Sequence, residues 1–216
     1  MVKMLIINAH PQINSKTSIS LEVYDYFIKV YKSLNPTGSI EQINLYSDDV
    51  PPVDKVVLDA QQKLIEKKEW SEEQKRIMAR RSEILQQFKN ANTYVIVMPL
   101  HNFNIPSKLK DYMDAIIVPR ETYKFTEAGS VGLLNDGRRI LVIQGSGSIY
   151  TNNDWYNEVE YSHKYLKSMF EFLGVKEYQI IRAQGISLLD REQIRKKAFQ
   201  EAEEAAFRLA SPVTVA

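Results

Sequence analysis

Four short stretches of this sequence are apolar or β-branched, broken only by Gln179, and they constrain the fold more than any other feature. They cover residues 4–7, 93–98, 140–143 and 178–181. A strand with one face in water alternates apolar and polar residues, whereas a continuous run indicates that helices cover both faces. We therefore expect four buried parallel strands. A fifth strand, over residues 40–45, alternates more and precedes the turn-rich residues 48–52, which places it nearer the sheet edge.

Helical segments separate these strands. The predicted helices span residues 18–34, 71–90, 107–118, 157–173 and 190–209. Capping-box spacing marks two helix starts, at Ser71 with Gln74 and at Asp190 with Gln193, and Gly174 marks one helix end. Alternating strands and helices predict an α/β protein with a doubly wound parallel sheet of five strands and right-handed crossovers.

The composition fits one globular domain. A chain of 216 residues with 44% hydrophobic and 25% charged residues has the size and balance of a single folded unit. We expect this domain to span residues 1–210 and residues 211–216 to form a flexible C-terminal tail. The 28 basic residues are matched by 27 acidic ones, so the sequence lacks the basic excess typical of a nucleic-acid-binding protein.

The sequence contains no cysteine. Disulfides, thiolate nucleophiles, iron–sulfur clusters and cysteine-based zinc sites are therefore excluded, and redox chemistry would need a bound cofactor. The apolar stretch near the N-terminus, residues 4–7, is too short for a signal-peptide core or a membrane span. We expect a cytoplasmic protein with no membrane partner.

In a doubly wound sheet, ligands bind beyond the carboxyl ends of the strands, at the point where the strand order reverses. Three loops qualify, over residues 8–17, 99–106 and 145–156. The charged, helix-prone segment 54–75 lies outside them, and we expect it to be a solvated insertion. The candidate ligand site is therefore limited to three short parts of the chain.

The first of these loops offers a phosphate site. Four hydroxyl residues crowd the start of the first helix: Ser15, Thr17, Ser18 and Ser20. His10 and Lys16 are close to them in sequence. A helix N-terminus favours an anion through its free N–H groups and its dipole. Alternatively, one of these hydroxyls only caps the helix.

Glycines are absent where two common nucleotide-binding motifs need them. A P-loop and a Rossmann fingerprint both require glycines after the first strand, and residues 8–20 contain none. The run Gly145-Ser146-Gly147 follows the fourth strand instead. A response regulator needs acidic residues at the end of its first strand, where this chain has Asn8-Ala9-His10. The sequence therefore disfavours an NTPase, a tightly bound Rossmann NAD and a response regulator.

The second loop is the most specific feature of the chain and reads Pro99-Leu100-His101-Asn102-Phe103-Asn104-Ile105-Pro106-Ser107. Pro106 fits the first turn of the next helix, which leaves amide and aromatic side chains exposed at the carboxyl end of a strand. This composition suits a flat ring with polar edges. Alternatively, Asn102 and Asn104 only hold the turn and Phe103 packs into the core.

Together with three later blocks, this loop resembles the FMN-dependent NADH-azoreductases, close relatives of the NAD(P)H quinone reductases. The blocks are residues 108–114, 123–126 with 129–134, and 145–150, in the order and spacing of the family. The resemblance extends over nearly the whole chain. It implies a flavodoxin-like fold with strand order 2-1-3-4-5, a bound FMN, NADH or NADPH as hydride donor, and a small quinone or azo compound as acceptor.

Position by position, the resemblance implies which residues contact FMN. The phosphate contacts fall on Ser18, Ile19 and Ser20, with His10 beside them. The isoalloxazine contacts fall on Pro99, Leu100, His101, Asn102 and Phe103. The pyrimidine-edge contacts fall on Gly145, Ser146, Gly147 and Ser148. Two departures are visible: many relatives have an arginine before two glycines where this chain has Ser146-Gly147-Ser148, and a tyrosine or tryptophan at His101.

The flavin carries the chemistry in this interpretation, so neither a catalytic side chain nor a metal is expected. We hypothesise a ping-pong reaction in which NAD(P)H delivers a hydride to flavin N5 and leaves before the acceptor binds in the same place. Backbone donors of residues 145–148 would stabilise the negative charge of the reduced flavin. The resemblance also implies a homodimer with active sites at the subunit interface.

Four aromatic residues are candidate walls of the acceptor pocket: Tyr123, Phe125, Tyr150 and Trp155. Ordinary core packing is the alternative for each of them. Two other functions stay open for the chain as a whole. One is a flavodoxin-like electron carrier, against which stand the near-zero net charge and the extended loop over residues 119–137. The other is a cofactor-free regulatory or binding protein, because one fold hosts many functions.

Overall fold

The structure, a computed structural model, describes residues 3–211. Its strands are β1 (Lys3–Asn8), β2 (Ser39–Asn44), β3 (Thr93–Pro99), β4 (Tyr123–Thr126), β5 (Gly129–Gly132), β6 (Arg139–Gly145) and β7 (Glu177–Ala183). Five of them form a parallel sheet in the order β2-β1-β3-β6-β7, and β4 pairs with β5 in a separate antiparallel hairpin. Counted within the sheet, this order is 2-1-3-4-5, which confirms the predicted fold.

The helices cover both faces of the sheet. They are α1 (Ile19–Leu34), α2 (Lys55–Ile65), α3 (Glu72–Asn90), α4 (Ser107–Ile116), α5 (Trp155–Glu158), α6 (Tyr161–Leu173) and α7 (Arg191–Ala210). Helices α1 and α7 pack on one face, with Met4 and Ile6 of β1. Helices α3, α4 and α6 pack on the other, with Leu5 and Ile7. Both faces of β1 are therefore buried, which is why its sequence is continuously apolar.

The helix ends follow the sequence in most places. Ser71 and Gln74 form the predicted capping box, and Gly174 closes α6 in the left-handed conformation with φ 102°. At the start of α7, the Gln193 N–H donates to Asp190 Oδ2 (3.1 Å). The tail predicted for residues 211–216 lies outside the described residues except for Ser211, whose carbonyl accepts a hydrogen bond from Arg139 (3.1 Å).

Three sequence predictions of local structure need correction. The helix predicted over residues 157–173 is divided into α5 and α6, because the buried Glu160 turns its carboxylate toward β6 and β7. The helix predicted over residues 107–118 ends at Ile116, since Thr122 Oγ1 donates to the Ile116 carbonyl (2.8 Å). The loop predicted over residues 119–137 contains the β4–β5 hairpin.

The predicted insertion contains α2, which Asp54 caps by accepting from the Val57 N–H (3.0 Å). Most of its side chains are exposed, as expected. The Trp70 indole N–H donates to the Ala60 carbonyl (2.8 Å), so the connection to α3 folds back on α2. The insertion therefore forms a folded unit of α2 and the connection to α3.

One buried polar atom in the core leads to a stability prediction. Tyr112 on α4 is fully buried, and its hydroxyl has no hydrogen-bond partner among the described residues. Burial raises the pKa of this phenol well above its ordinary value, so the group stays neutral. Replacing it with phenylalanine removes an unsatisfied hydroxyl and is expected to raise the free energy of unfolding by about 1 kcal/mol, or Tm by about 2–4 °C.

The matched control is Tyr94→Phe. The Tyr94 hydroxyl donates to the Phe88 carbonyl (3.0 Å) and accepts from Arg138 Nη1 (2.8 Å). That variant should lower Tm, because it leaves buried partners unsatisfied. Thermal unfolding of both variants checks the contrast, and a Tm loss in Tyr112→Phe would refute it.

Candidate functional site

A cavity of about 340 Å³ opens at the carboxyl end of the sheet, between the loops that follow β1, β3, β6 and β7. It is lined by His10, Gln12, Ser15, Thr17, Ser18, Ile19, Ser20, Pro99, Leu100, Gly145, Ser146, Gly147, Ile186 and Ser187. The structure therefore brings together nine of the thirteen predicted cofactor-binding residues. The other four, His101, Asn102, Phe103 and Ser148, belong to the same loops but not to this lining.

Two lining residues, Ile186 and Ser187, come from the loop after β7, which the sequence argument left out. The Ser187 N–H donates to the Gly147 carbonyl (3.1 Å), and the Ile186 N–H donates to the Ser146 carbonyl (3.3 Å). A Cβ at Gly147 would lie 3.1 Å from Ser187 Oγ. The sequence did contain a signal for this loop, because a glycine and a serine follow the fifth predicted strand in the run Gly185-Ile186-Ser187.

The start of α1 forms one wall of the cavity. Ser18 is the N-cap: its Oγ accepts from the Leu21 N–H (3.4 Å) and lies 3.0 Å from Ser20 Oγ. The first intrahelical bond runs from the Glu22 N–H to the Ser18 carbonyl (3.0 Å), so the N–H groups of Ile19 and Ser20 precede it. Ser18 therefore caps the helix and also lines the cavity, and its predicted phosphate contact stays a prediction.

His10 presents a defined tautomer to the same wall. Its Nδ1 accepts from the Gln12 N–H (3.0 Å), so the proton of the neutral ring is on Nε2. Its backbone N–H donates to Asn8 Oδ1 (3.1 Å), which fixes the chain at the end of β1. Burial lowers the pKa of the His10 imidazole, and the neutral ring keeps Nε2–H as a hydrogen-bond donor.

The loop after β6 approaches α1 closely. A Cβ at Gly145 would lie 3.0 Å from Ile19 Cγ2 and 3.3 Å from Ser20, so a larger residue would separate strand and helix. The Ser146 N–H donates to the Ala183 carbonyl (3.1 Å), so this N–H group is not available to a ligand. Within residues 3–211, the N–H groups of Gly147 and Ser148 have no protein acceptor. They are the donors in this loop that a ligand could use.

The loop after β3 ends in a tight turn. His101 and Asn104 exchange two backbone hydrogen bonds (2.9 and 2.8 Å), and both central residues, Asn102 and Phe103, have positive φ (45° and 67°). This is the pattern of a type I′ turn, which asparagine tolerates and phenylalanine strongly disfavours. His101 and Asn102 are exposed, and the Asn102 side chain is free to meet a ligand edge. The turn is therefore strained at Phe103.

The predicted aromatic residues form two separate clusters within the chain. Phe103 packs against Tyr150, Trp155 and Tyr156, with ring centroids 6.4, 5.4 and 6.4 Å apart. Tyr123 and Phe125 pack on each other (5.4 Å), and Tyr123 also contacts Phe172 of α6 (4.9 Å). Tyr156 was missed because nothing in its local pattern distinguishes it. A single chain therefore does not unite the four predicted pocket residues.

Neither a metal centre nor a membrane span is found within residues 3–211. No group of histidine and acidic side chains in this range could hold a metal ion. No helix in the same range is long and apolar enough to cross a membrane.

The chain is similar to known proteins over most of its length. The chain matches the family model described as a flavodoxin-like fold over residues 2–206. It is 60% identical over 212 residues to FMN-dependent NADH:quinone oxidoreductase 1 of a Bacillus cereus strain, an alignment that covers 98% of this chain and 100% of that protein. A protein of the same name from Lactiplantibacillus plantarum is 42% identical, with 86% of this chain and 87% of that protein covered.

A solved structure is similar over the same length. The crystal structure of an FMN-dependent NADH-azoreductase from Bacillus anthracis str. Ames Ancestor, in complex with FMN, matches with a TM-score of 0.96 at 60% identity. The match covers 98% of this chain and 100% of that one.

Proposed function

Because the chain belongs to the flavodoxin-like family of FMN-dependent NADH:quinone oxidoreductases, we propose that it binds FMN and uses NADH to reduce quinones or azo compounds. The observation that carries this proposal is the cavity at the strand ends. The start of α1 and the free amide of Gly147 converge there, and the free amide of Ser148 follows Gly147 in the same loop. We also propose a cytoplasmic location, in keeping with a chain that contains no cysteine.

The residues at the cavity fit FMN. A phosphate requires several hydrogen-bond donors, and the α1 end offers two hydroxyls, the first-turn N–H groups and His10 Nε2–H. A flat ring requires apolar walls with polar groups at one edge. Pro99 and Leu100 supply the wall, while Gly147 in the lining and Ser148 next to it supply the N–H groups. We therefore propose that the phosphate lies at α1 and the pyrimidine edge at residues 147–148.

Bound FMN supplies hydride transfer at its N5, and the protein contributes binding, orientation and electrostatics. The Gly147 and Ser148 N–H groups would stabilise negative charge at the pyrimidine edge, since donors fixed in advance require little reorganisation. The exposed amide of Asn102, held by the turn at residues 101–104, would meet the polar edge near N5. His10 would hold the phosphate as a neutral donor.

We propose a ping-pong order in which NADH binds, transfers its hydride and leaves before the acceptor enters the same place. Leu100 lines the cavity, and Phe103 of the same loop packs against Trp155, so both substrates would stack on the flavin beside this one loop. Initial rates at several fixed menadione concentrations should give parallel double-reciprocal lines against NADH. Intersecting lines would mean that both substrates bind together and would refute this order.

NADH is the proposed donor rather than NADPH. A 2′-phosphate would favour a free basic partner such as Arg120, Lys124 or Arg182. Arg182 is already engaged with both carboxylate oxygens of Glu160, at 2.8 and 2.9 Å. Arg182 is therefore not free to bind a 2′-phosphate.

We propose that the protein is a homodimer with active sites at the subunit interface. Phe125 is 72% exposed on the β4–β5 hairpin, and Val131 on the same hairpin is 45% exposed. Trp155, in the other aromatic cluster, is 56% exposed. A second copy that covers these surfaces would place the hairpin of one subunit over the Phe103 cluster of the other, completing the acceptor pocket.

A further inference from the structure

A buried polar network joins the carboxyl ends of β6 and β7 to the start of α6. Arg182 of β7 donates from Nε and Nη2 to the two oxygens of Glu160 (2.8 and 2.9 Å). Gln144 of β6 donates from Nε2 to Glu160 Oε1 (2.9 Å) and accepts from Ser162 Oγ at Oε1 (2.8 Å). Gln144, Glu160 and Ser162 are 1%, 3% and 0% exposed.

This network continues into the strained turn of the β3 loop. The backbone N–H of Ser162 donates to the Phe103 carbonyl (3.1 Å). Phe103 has a positive φ of 67°, a conformation that a bulky side chain keeps only when its surroundings hold it. Its other contacts are the rings of the aromatic cluster that includes Trp155, at 5.4 Å. The start of α6 is therefore a direct restraint on the turn.

A buried ion pair at this position contributes little net stability to the fold. Removing two charges from water offsets most of their mutual attraction, and well-packed apolar residues often serve as well. A bidentate arginine–carboxylate pair does fix orientation, because two parallel hydrogen bonds allow little rotation. Arg182 lies beside Gln144 in the sheet register, and Gln144 directly precedes Gly145 of the cavity. The pair thus orients two segments of the site at once.

We propose that Glu160 and Arg182 are positioning residues for flavin reduction. By fixing Ser162 through Gln144, they hold Phe103 and Asn102 in the turn geometry that would meet FMN. This inference rests on the proposed function, and it concerns residues outside the cavity lining.

The test compares Glu160→Gln with Asp136→Asn in a Trp70→Phe background, where Trp155 is the remaining tryptophan. Asp136 forms a similar bidentate pair with Arg138 (2.8 and 3.1 Å), next to the amino end of β6. Two readouts are taken: Trp155 emission before FMN is added, and the rate of flavin reduction at saturating NADH. Glu160→Gln should shift the emission and slow reduction at least tenfold, whereas Asp136→Asn should change neither.

A second variant keeps the test decisive if Glu160→Gln does not fold. The double variant Glu160→Leu with Arg182→Met replaces both charges with apolar groups and should keep a Tm near that of the parent. It should show the same shift in Trp155 emission and the same slower flavin reduction. A folded variant with parental emission or parental reduction rate would overturn the inference. If the parent binds no FMN, the proposed function fails, and Trp155 emission alone then decides whether the network holds the turn.

Discussion

Replacing Ser18 and Ser20 together with alanine is expected to weaken FMN binding at least a hundredfold. Each hydroxyl would lose a hydrogen bond to a charged phosphate, worth about 1.5–3 kcal/mol. Two such losses amount to about 3 kcal/mol or more, and each 1.4 kcal/mol is a factor of about ten in Kd. The two Oγ atoms lie 3.0 Å apart, so they converge on one position where the phosphate would be held.

Ser18 is also the N-cap of α1, and losing a cap destabilises a protein by about 1 kcal/mol. Ser71→Ala is the matched control, because Ser71 caps α3 in the same way and does not line the cavity. Fluorescence titration with FMN and thermal unfolding are measured on all three proteins. The control should lose stability and keep its Kd. Parental FMN affinity in the double variant would require a different phosphate site.

Replacing Asn102 with glycine is expected to slow flavin reduction by NADH about tenfold or more. This is less than the roughly hundredfold loss for a buried donor at developing charge, because Asn102 is exposed to solvent. Glycine adopts the positive φ of this position (45°) without strain, so the turn should remain intact. Leucine would strain the backbone and remove the amide at once. The structure therefore favours glycine as the informative substitution, with stopped-flow reduction and Tm as the measurements.

Lys67→Gly serves as the control for backbone effects. Lys67 also has a positive φ (55°), is exposed, and lies in the connection between α2 and α3. Both variants should keep or raise Tm, since glycine relieves the same kind of strain. Only Asn102→Gly should alter flavin reduction. If its reduction rate and flavin potential match the parent, Asn102 merely shapes the turn.

The prediction of a fourth buried strand needs correction, because β7 lies at the sheet edge and is only partly buried. The central strands β1, β3 and β6 were predictable because they are buried on both faces. Such strands are continuously apolar whatever their partners, and the edge strand β2 alternates because most of its side chains reach solvent. The β4–β5 hairpin was not predicted, because its strands are exposed and not buried. Its strands have four residues each and are almost entirely exposed, so no burial pattern marks them.

Tertiary contacts account for what the sequence did not reveal about the site. The break between α5 and α6 depends on Glu160 pairing with Arg182, which is 22 residues away. Ser187 enters the cavity through the loop after the fifth sheet strand, outside the switch point considered from the sequence. The hydroxyls at α1 and the glycines after β6 do line one cavity, because both loops follow strands at the switch point of the sheet.

The most direct test of the central claim is NADH oxidation by the purified protein with FMN and menadione, with no partner reductase present. Absorbance at the NADH band and at the flavin bands is followed together. We predict that the protein binds FMN, that NADH alone reduces this flavin by one equivalent, and that continued NADH consumption requires quinone and matches it one to one. Bound FMN without NADH oxidation would indicate an electron carrier, and failure to bind FMN would contradict the proposed function altogether.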